Sequence, residues 1–168
     1  LITLPESVIK PDLKFKFFSP KYPEYLKGGK LLFDYLKQED ILLHHPYECF
    51  DVVAEFINNA AEDKNVVAIF QTIYRTGSTS GLMRSLINAV NKGKEVTVIL
   101  ELMARFDEET NINWASKLEE IGAHVVFGVV GNKTHAKMCL IVRQEGKKLI
   151  RYCHLGTGNY HPKTAKQY

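Results

Sequence analysis

The chain has 168 residues, 45% apolar and 24% charged, a composition for one soluble α/β-sized domain with its own core. No stretch approaches the roughly 18 consecutive apolar residues of a membrane span, and the first residues lack the charged-then-apolar pattern of a secretory signal. The three cysteines are far apart, with no C-x-x-C. That argues against a disulfide framework or a zinc site and suits a reducing, cytoplasmic setting.

In chain order, residues 1–40 hold Pro5, Pro11, Pro20, Pro23 and Gly28-Gly29 and read as a connector with one short helix near Lys30 to Gln38. "DILLHHPYECF" reads as a short apolar strand stopped by Pro46. From Phe50 to Asp63 the apolar residues Phe50, Val53, Phe56, Ile57 and Ala60 recur at a helical period. Asn65 to Tyr74 reads as a buried strand, followed by the loop "RTGSTSG". Ser80 caps a helix that runs to about Asn91 and is ended by Gly93.

Glu95 to Leu102 is a second buried strand. The acidic loop "ARFDEE" suits the N-terminus of a following helix, placed at Asn113 to Ile121. Residues 123–130 give a third strand. Residues 135–144 and 147–155 give two more, joined by a turn at Glu145-Gly146. Cys139 and Cys153, in those last strands, read as buried small hydrophobes. The order β-α-β-α-β followed by β-β implies an α/β fold with a mixed, mainly parallel sheet flanked by helices. Residues 41–168 form that domain. The missing initiator Met and the ending at Tyr168 suggest a piece of a longer protein.

The net charge of +3 is unevenly spread. Residues 131–168 carry eight Lys/Arg against one Glu, which is +7, and the first 130 residues carry −4. A local basic field suits a polyanionic or phosphorylated partner, although a solvated basic face has the same composition. In sheets of this kind, sites form at the carboxyl ends of strands. Three loops would meet there, one at Tyr74 to Gly77, one at Ala104 to Asp107 and one leading to His135.

"THAK" places His135 and Lys137 two apart, on one face of a strand. A neutral imidazole is a nucleophile toward phosphorus. A neighbouring ammonium disfavours its protonation and neutralises phosphate oxygens. A histidine simply satisfied at a strand start fits the same spacing. Arg75 and Arg105 each follow a buried strand and offer planar forks for phosphate. Asp107, Glu108 and Glu109 read as helix-cap charges, one of which could hold a hydrated Mg²⁺. "HLGTGNYHP" reads as a turn or as a donor site for phosphate oxygens, with Asn159 orienting the histidine. His44 and His45 point opposite ways on a strand and read as structural.

Five separated stretches, "DILLHHPYECF", "QTIYRTG", "ELMARFDEETNINWASKLEEIGAHVVFG", "KTHAKMCLIVR" and "YCHLGTGNYHPKTAKQY", together resemble the long bacterial polyphosphate kinase family. The match runs from about Leu13 to Tyr168. It looks like the first of two C-terminal, phospholipase D-like catalytic domains, preceded by the tail of a middle domain. The resemblance implies reversible transfer of the ATP γ-phosphate to inorganic polyphosphate through a phosphohistidine. It maps His135 onto the phosphorylated residue and Lys137 onto its charge-stabilising partner. Arg75 and Arg105 map onto Mg²⁺-site positions and Tyr168 onto a nucleotide contact.

Arginine has no lone pair for a metal, so both arginines read as phosphate clamps beside the ion. The implied partners are ATP/ADP and polyphosphate, with no nucleic acid. The full-length enzyme would be a cytoplasmic homo-oligomer, in some settings membrane-associated. The sequence departs from the patterns in three ways. Val142 stands where phospholipase D has an Asp, as the kinase family also lacks it. Phe70 and Met103 replace lysines. The second H-x-K domain lies beyond the chain, so this piece alone is expected to be inactive. The rival readings are a phospholipase D-type phosphodiesterase and a non-enzymatic polyanion-binding module.

Overall fold

The computed structural model describes residues 16, 18–27, 32–75, 80–102, 104, 107–128 and 131–166. Within them the chain runs α1 (Leu32–Leu36), α2 (Asp51–Glu62), β1 (Val66–Ile73), α3 (Gly81–Asn91), β2 (Glu95–Leu100), α4 (Glu108–Glu120), β3 (His124–Phe127), β4 (Lys137–Glu145) and β5 (Lys148–Gly156). The five strands form one sheet in the order β3-β2-β1-β4-β5. β1 pairs parallel with β2, and β2 with β3. β4 lies antiparallel to both β1 and β5. The mixed part is thus half the sheet, because the β4–β5 hairpin docks on β1 instead of fraying at an edge.

Alternation decides which face is covered. Val96, Val98 and Leu100 of β2 and Ile69 and Ile73 of β1 are buried and meet Ile57 of α2, Met83 and Leu86 of α3, and Leu118 of α4 in one core. Burying each such side chain is worth about 1.5–3 kcal/mol. Right-handed crossovers put α3 and α4 on the same side. On the other face Phe70, Val126, Met138 and Leu155 stay exposed. Leu32 and Phe33 of α1 enter the same core, and Phe33 packs against Tyr152 with ring centroids 4.9 Å apart.

Most elements follow from local chemistry. Ser80 Oγ accepts from Met83 N–H at the start of α3, and Gly93 takes φ 77° just past its end. Three expectations need correction. Ile41 to His44 is not a strand; its apolar run has no neighbouring edge to pair with, and Leu42 stands 87% exposed. α4 starts five residues before Asn113, at Glu108, for a reason given below. Cys153 is exposed, because it pairs with Leu140 on the open face, whereas Cys139 is buried.

Candidate active site

The carboxyl ends of β1 and β2 and the amino end of β4 lie at one edge of the sheet. Side chains fasten the backbone on both sides of His135. Thr72 Oγ donates to Ala136 C=O at 2.8 Å and accepts from Met138 N–H at 3.0 Å. Glu101, just past β2 and 5% exposed, accepts the Thr134 N–H at 2.8 Å. Asn111, fully buried in α4, donates to Tyr74 C=O at 3.0 Å and Glu101 C=O at 2.9 Å. One amide therefore ties together the exits of two strands.

His135 precedes β4, and Lys137 is its first residue. The two side chains meet even so. Lys137 Nζ lies 3.0 Å from both ring nitrogens and donates to His135 C=O at 2.6 Å. With equal distances to the two nitrogens, neither ring lone pair alone holds the ammonium. His135 is exposed while Lys137 is only 6% exposed. Burial pushes the Lys137 ammonium below its ordinary pKa. No carboxylate forms an ion pair with Lys137 among the described residues.

Arg75 reaches the same edge, where its Nε lies 3.3 Å from Asp107 Oδ2, an ion pair by proximity and not an aligned hydrogen bond. Asp107 occupies the N-cap position of α4, yet its side chain accepts no cap bond; it faces Arg75 instead. The three expected loops thus do meet in their described parts, through Tyr74 against His135, Arg75 beside Asp107 and Glu101 under Thr134. Arg105, Met103 and Tyr168 lie outside the described residues. Phe70 sits mid-strand on the open face, opposite Leu140 and Thr97.

Asn159 does not orient His135. Among the described residues it makes no hydrogen bond to that ring, and its buried Oδ1 finds no partner there. It lines a cavity of about 270 Å³ with His45 and His154. There His154 Nδ1 meets Tyr160 OH at 2.7 Å, and burial, with the nearby His45, lowers the His154 pKa to about 4. The reading of His45 as structural agrees with its Nδ1–H donating to Glu48 C=O at 2.8 Å.

Sequence reasoning missed Tyr74, Glu101 and Asn111. A tyrosine directly before Arg75 at a strand exit was a usable signal. Asn111 was hidden because "TNIN" has poor helix propensity. The described residues do not fit a protein-held magnesium ion. Arg75 cannot ligate one, Asp107 is engaged by Arg75, and the described residues contain no group of three or more candidate metal ligands.

The fold and site define an α/β domain with an exposed imidazole and two cations gathered at one strand-end edge. A model of the polyphosphate kinase C-terminal domain 1 matches residues 31–168, and the chain belongs to the polyphosphate kinase family. It is 59% identical to a polyphosphate kinase of Burkholderia multivorans and 60% identical to one of Paraburkholderia phytofirmans, each over its whole length and 25% of the relative. The chain thus spans about a quarter of these curated relatives. The solved polyphosphate kinase of Porphyromonas gingivalis superposes with a TM-score of 0.76 at 31% identity, over 95% of this chain and 26% of that one. No helix of the described residues is long and apolar enough to cross a membrane.

Proposed function

We propose that this domain carries the phosphoryl-accepting half of a polyphosphate kinase, with His135 as the nucleophile. A ring nitrogen lone pair attacks the γ-phosphorus of ATP, the bond from phosphorus to the β–γ bridging oxygen breaks, and ADP leaves. A terminal polyphosphate oxygen then attacks the same phosphorus. The P–N bond breaks, its electrons return to the ring, and the polymer grows by one unit. Lys137 and Arg75, with Arg105 by resemblance, offset charge on the transferring group, which is how such transfer is mainly catalysed. Tyr168 and Asn159 belong to the proposal as nucleotide and phosphate contacts, and the basic segment after Gly131 as a polyanion track. Magnesium enters only as the ion carried on the nucleotide's own phosphate oxygens. The residues 41–168 act as one of two catalytic domains of a longer, homo-oligomeric cytoplasmic enzyme.

The observation that carries this reading is the exposed His135 ring held against a buried ammonium that has no carboxylate partner among the described residues. The test incubates the full-length protein with γ-³²P-ATP and Mg²⁺ and quenches it in alkali. Acid-labile label on the peptide containing His135, chased off by polyphosphate and absent from His135→Ala, is the expected result. Full activity in His135→Ala would overturn the proposal.

A further inference from the structure

Tyr74 is placed against the His135 ring and the two described cations of the candidate site. Its backbone is fixed by the Asn111 amide. Its ring meets the His135 imidazole edge-on, with centroids 5.1 Å apart and planes at 78°. Lys137 Nζ lies 5.2 Å from the ring centroid, and Arg75 Cζ lies 5.7 Å from it. One aromatic ring therefore touches the nucleophile and both described cations, while among the described residues no hydrogen bond uses its hydroxyl.

We infer that Tyr74 is a positioning residue for phosphoryl transfer at His135: its ring holds the imidazole in one orientation and steadies the Lys137 ammonium without neutralising it. This rests on the phosphohistidine reading. A buried ammonium needs something to hold it. A carboxylate would hold it more strongly but would cancel the charge that phosphate is to meet. The negative face of an aromatic ring attracts a cation and leaves its charge intact. The edge-on contact with His135 restricts the imidazole by packing, since such ring pairs favour defined angles. The reacting phosphorus would approach the exposed side of His135, so Tyr74 acts through its neighbours.

Among the described residues the titratable groups in contact with the Lys137 ammonium are His135 and Tyr74; Arg75 shares the Tyr74 ring and is paired with Asp107, and Glu101 is bound to Thr134. Removing the ring removes an interaction that favours the charged form of Lys137. The alkaline limb of the rate profile should therefore move to lower pH.

The test compares full-length wild type with Tyr74→Phe, Tyr74→Leu and Tyr74→Met, following ³²P arrival on His135 by rapid quench across pH. Phe keeps the ring and should label within about threefold of wild type. Leu and Met, which lack a ring, should label about 10- to 30-fold more slowly, the scale of one lost cation–ring contact together with a loosened nucleophile. Their KM for ATP should change little, and their alkaline limb should shift down. Met fills the ring's space, so it reports even where Leu fails to fold. Native labelling in Leu or Met, or equal impairment in Phe, would overturn the assignment while leaving the phosphohistidine reading intact. No label on His135 in wild type would overturn both.

Discussion

Arg143 at one end of the sheet and Lys137 at the other are handled in opposite ways. At the far end, where β1 begins and β4 finishes, Arg143 and Lys37 are matched by carboxylates, while the buried Lys94 donates to the Asp63 and Val66 carbonyls. Arg143 donates to Asp63 at 2.8 Å and to Glu145 at 2.7 Å, and Tyr152 OH donates to Glu145 at 2.6 Å. Lys37 lies 3.2 Å from Glu145. Burial opposes ionisation of Asp63, but the Asn65 N–H and Arg143 hold it below the usual carboxylate range. At the site end Lys137 is buried with a carbonyl, an imidazole and an aromatic ring, and no carboxylate among the described residues. Lys94 is closed off by backbone carbonyls at the stabilised end, whereas Lys137 lies against the exposed His135 ring, where an arriving anion can meet its charge.

Breaking the closed end should give the largest change in stability. Arg143 and Asp63 side chains are 12% and 8% exposed, and removing one partner of a buried pair costs about 3–5 kcal/mol. Arg143→Met should therefore lower hydrogen-exchange protection of β1 and β4 amides by that amount, with phosphoryl transfer per folded molecule unchanged. Lys137→Met should do the reverse. Loss of a preorganised charge aimed at the transferring group should slow phosphoryl transfer about 10²- to 10³-fold, and rapid-quench labelling measures it. Stability should hold or rise, because an incompletely paired buried ammonium is removed. Asn111→Ala should lie between them, losing about 1–3 kcal/mol from two buried carbonyls left without their donor and slowing transfer, read by exchange and labelling together.

Acid should separate the ends by pH. The His154 pKa is lowered to about 4 by burial and by His45, so its contribution is present above about 6.5 and is lost as pH falls toward 4. Glu145 is lowered to about 2 by the Tyr152 hydroxyl, against burial, with Arg143 and Lys37 adding to the shift. Its contribution is present above about 4.5 and is lost as pH falls through about 2. Exchange protection should thus fail first near Tyr160 and last where β4 ends. His154→Phe should remove the first phase and Glu145→Gln the second. The smallest effect belongs to the open face, where Leu155→Lys should change stability by less than about 0.5 kcal/mol.

The sequence shows the helix and strand periods well because they come from repeated apolar side chains, as in Val53, Phe56, Ile57 and Ala60. Its spacing also brings His135 and Lys137 together, although the expected reason was a shared strand face and the actual one is a lysine folding back to the His135 carbonyl. What stays hidden depends on contacts far apart in the chain. Asn111 binds Tyr74 and Glu101, 37 and 10 residues away, and these bonds start α4 where local propensity argues against a helix. Ile41 to His44 shows the converse, since apolar composition makes no strand without a neighbour to pair with. The Asn159 contact is missing for a related reason: its turn lines a cavity with His45 and His154, a neighbourhood that spacing alone does not reveal.

The most direct test is the rate at which phosphate reaches His135 in the full-length protein, measured by rapid quench with wild type, Lys137→Met and Arg143→Met at equal folded concentration. The account predicts a loss of about 10²-fold or more for Lys137→Met and a native rate for Arg143→Met. Native labelling by Lys137→Met, or equal slowing by both variants, would contradict the claim that the site-end cation is held for phosphate.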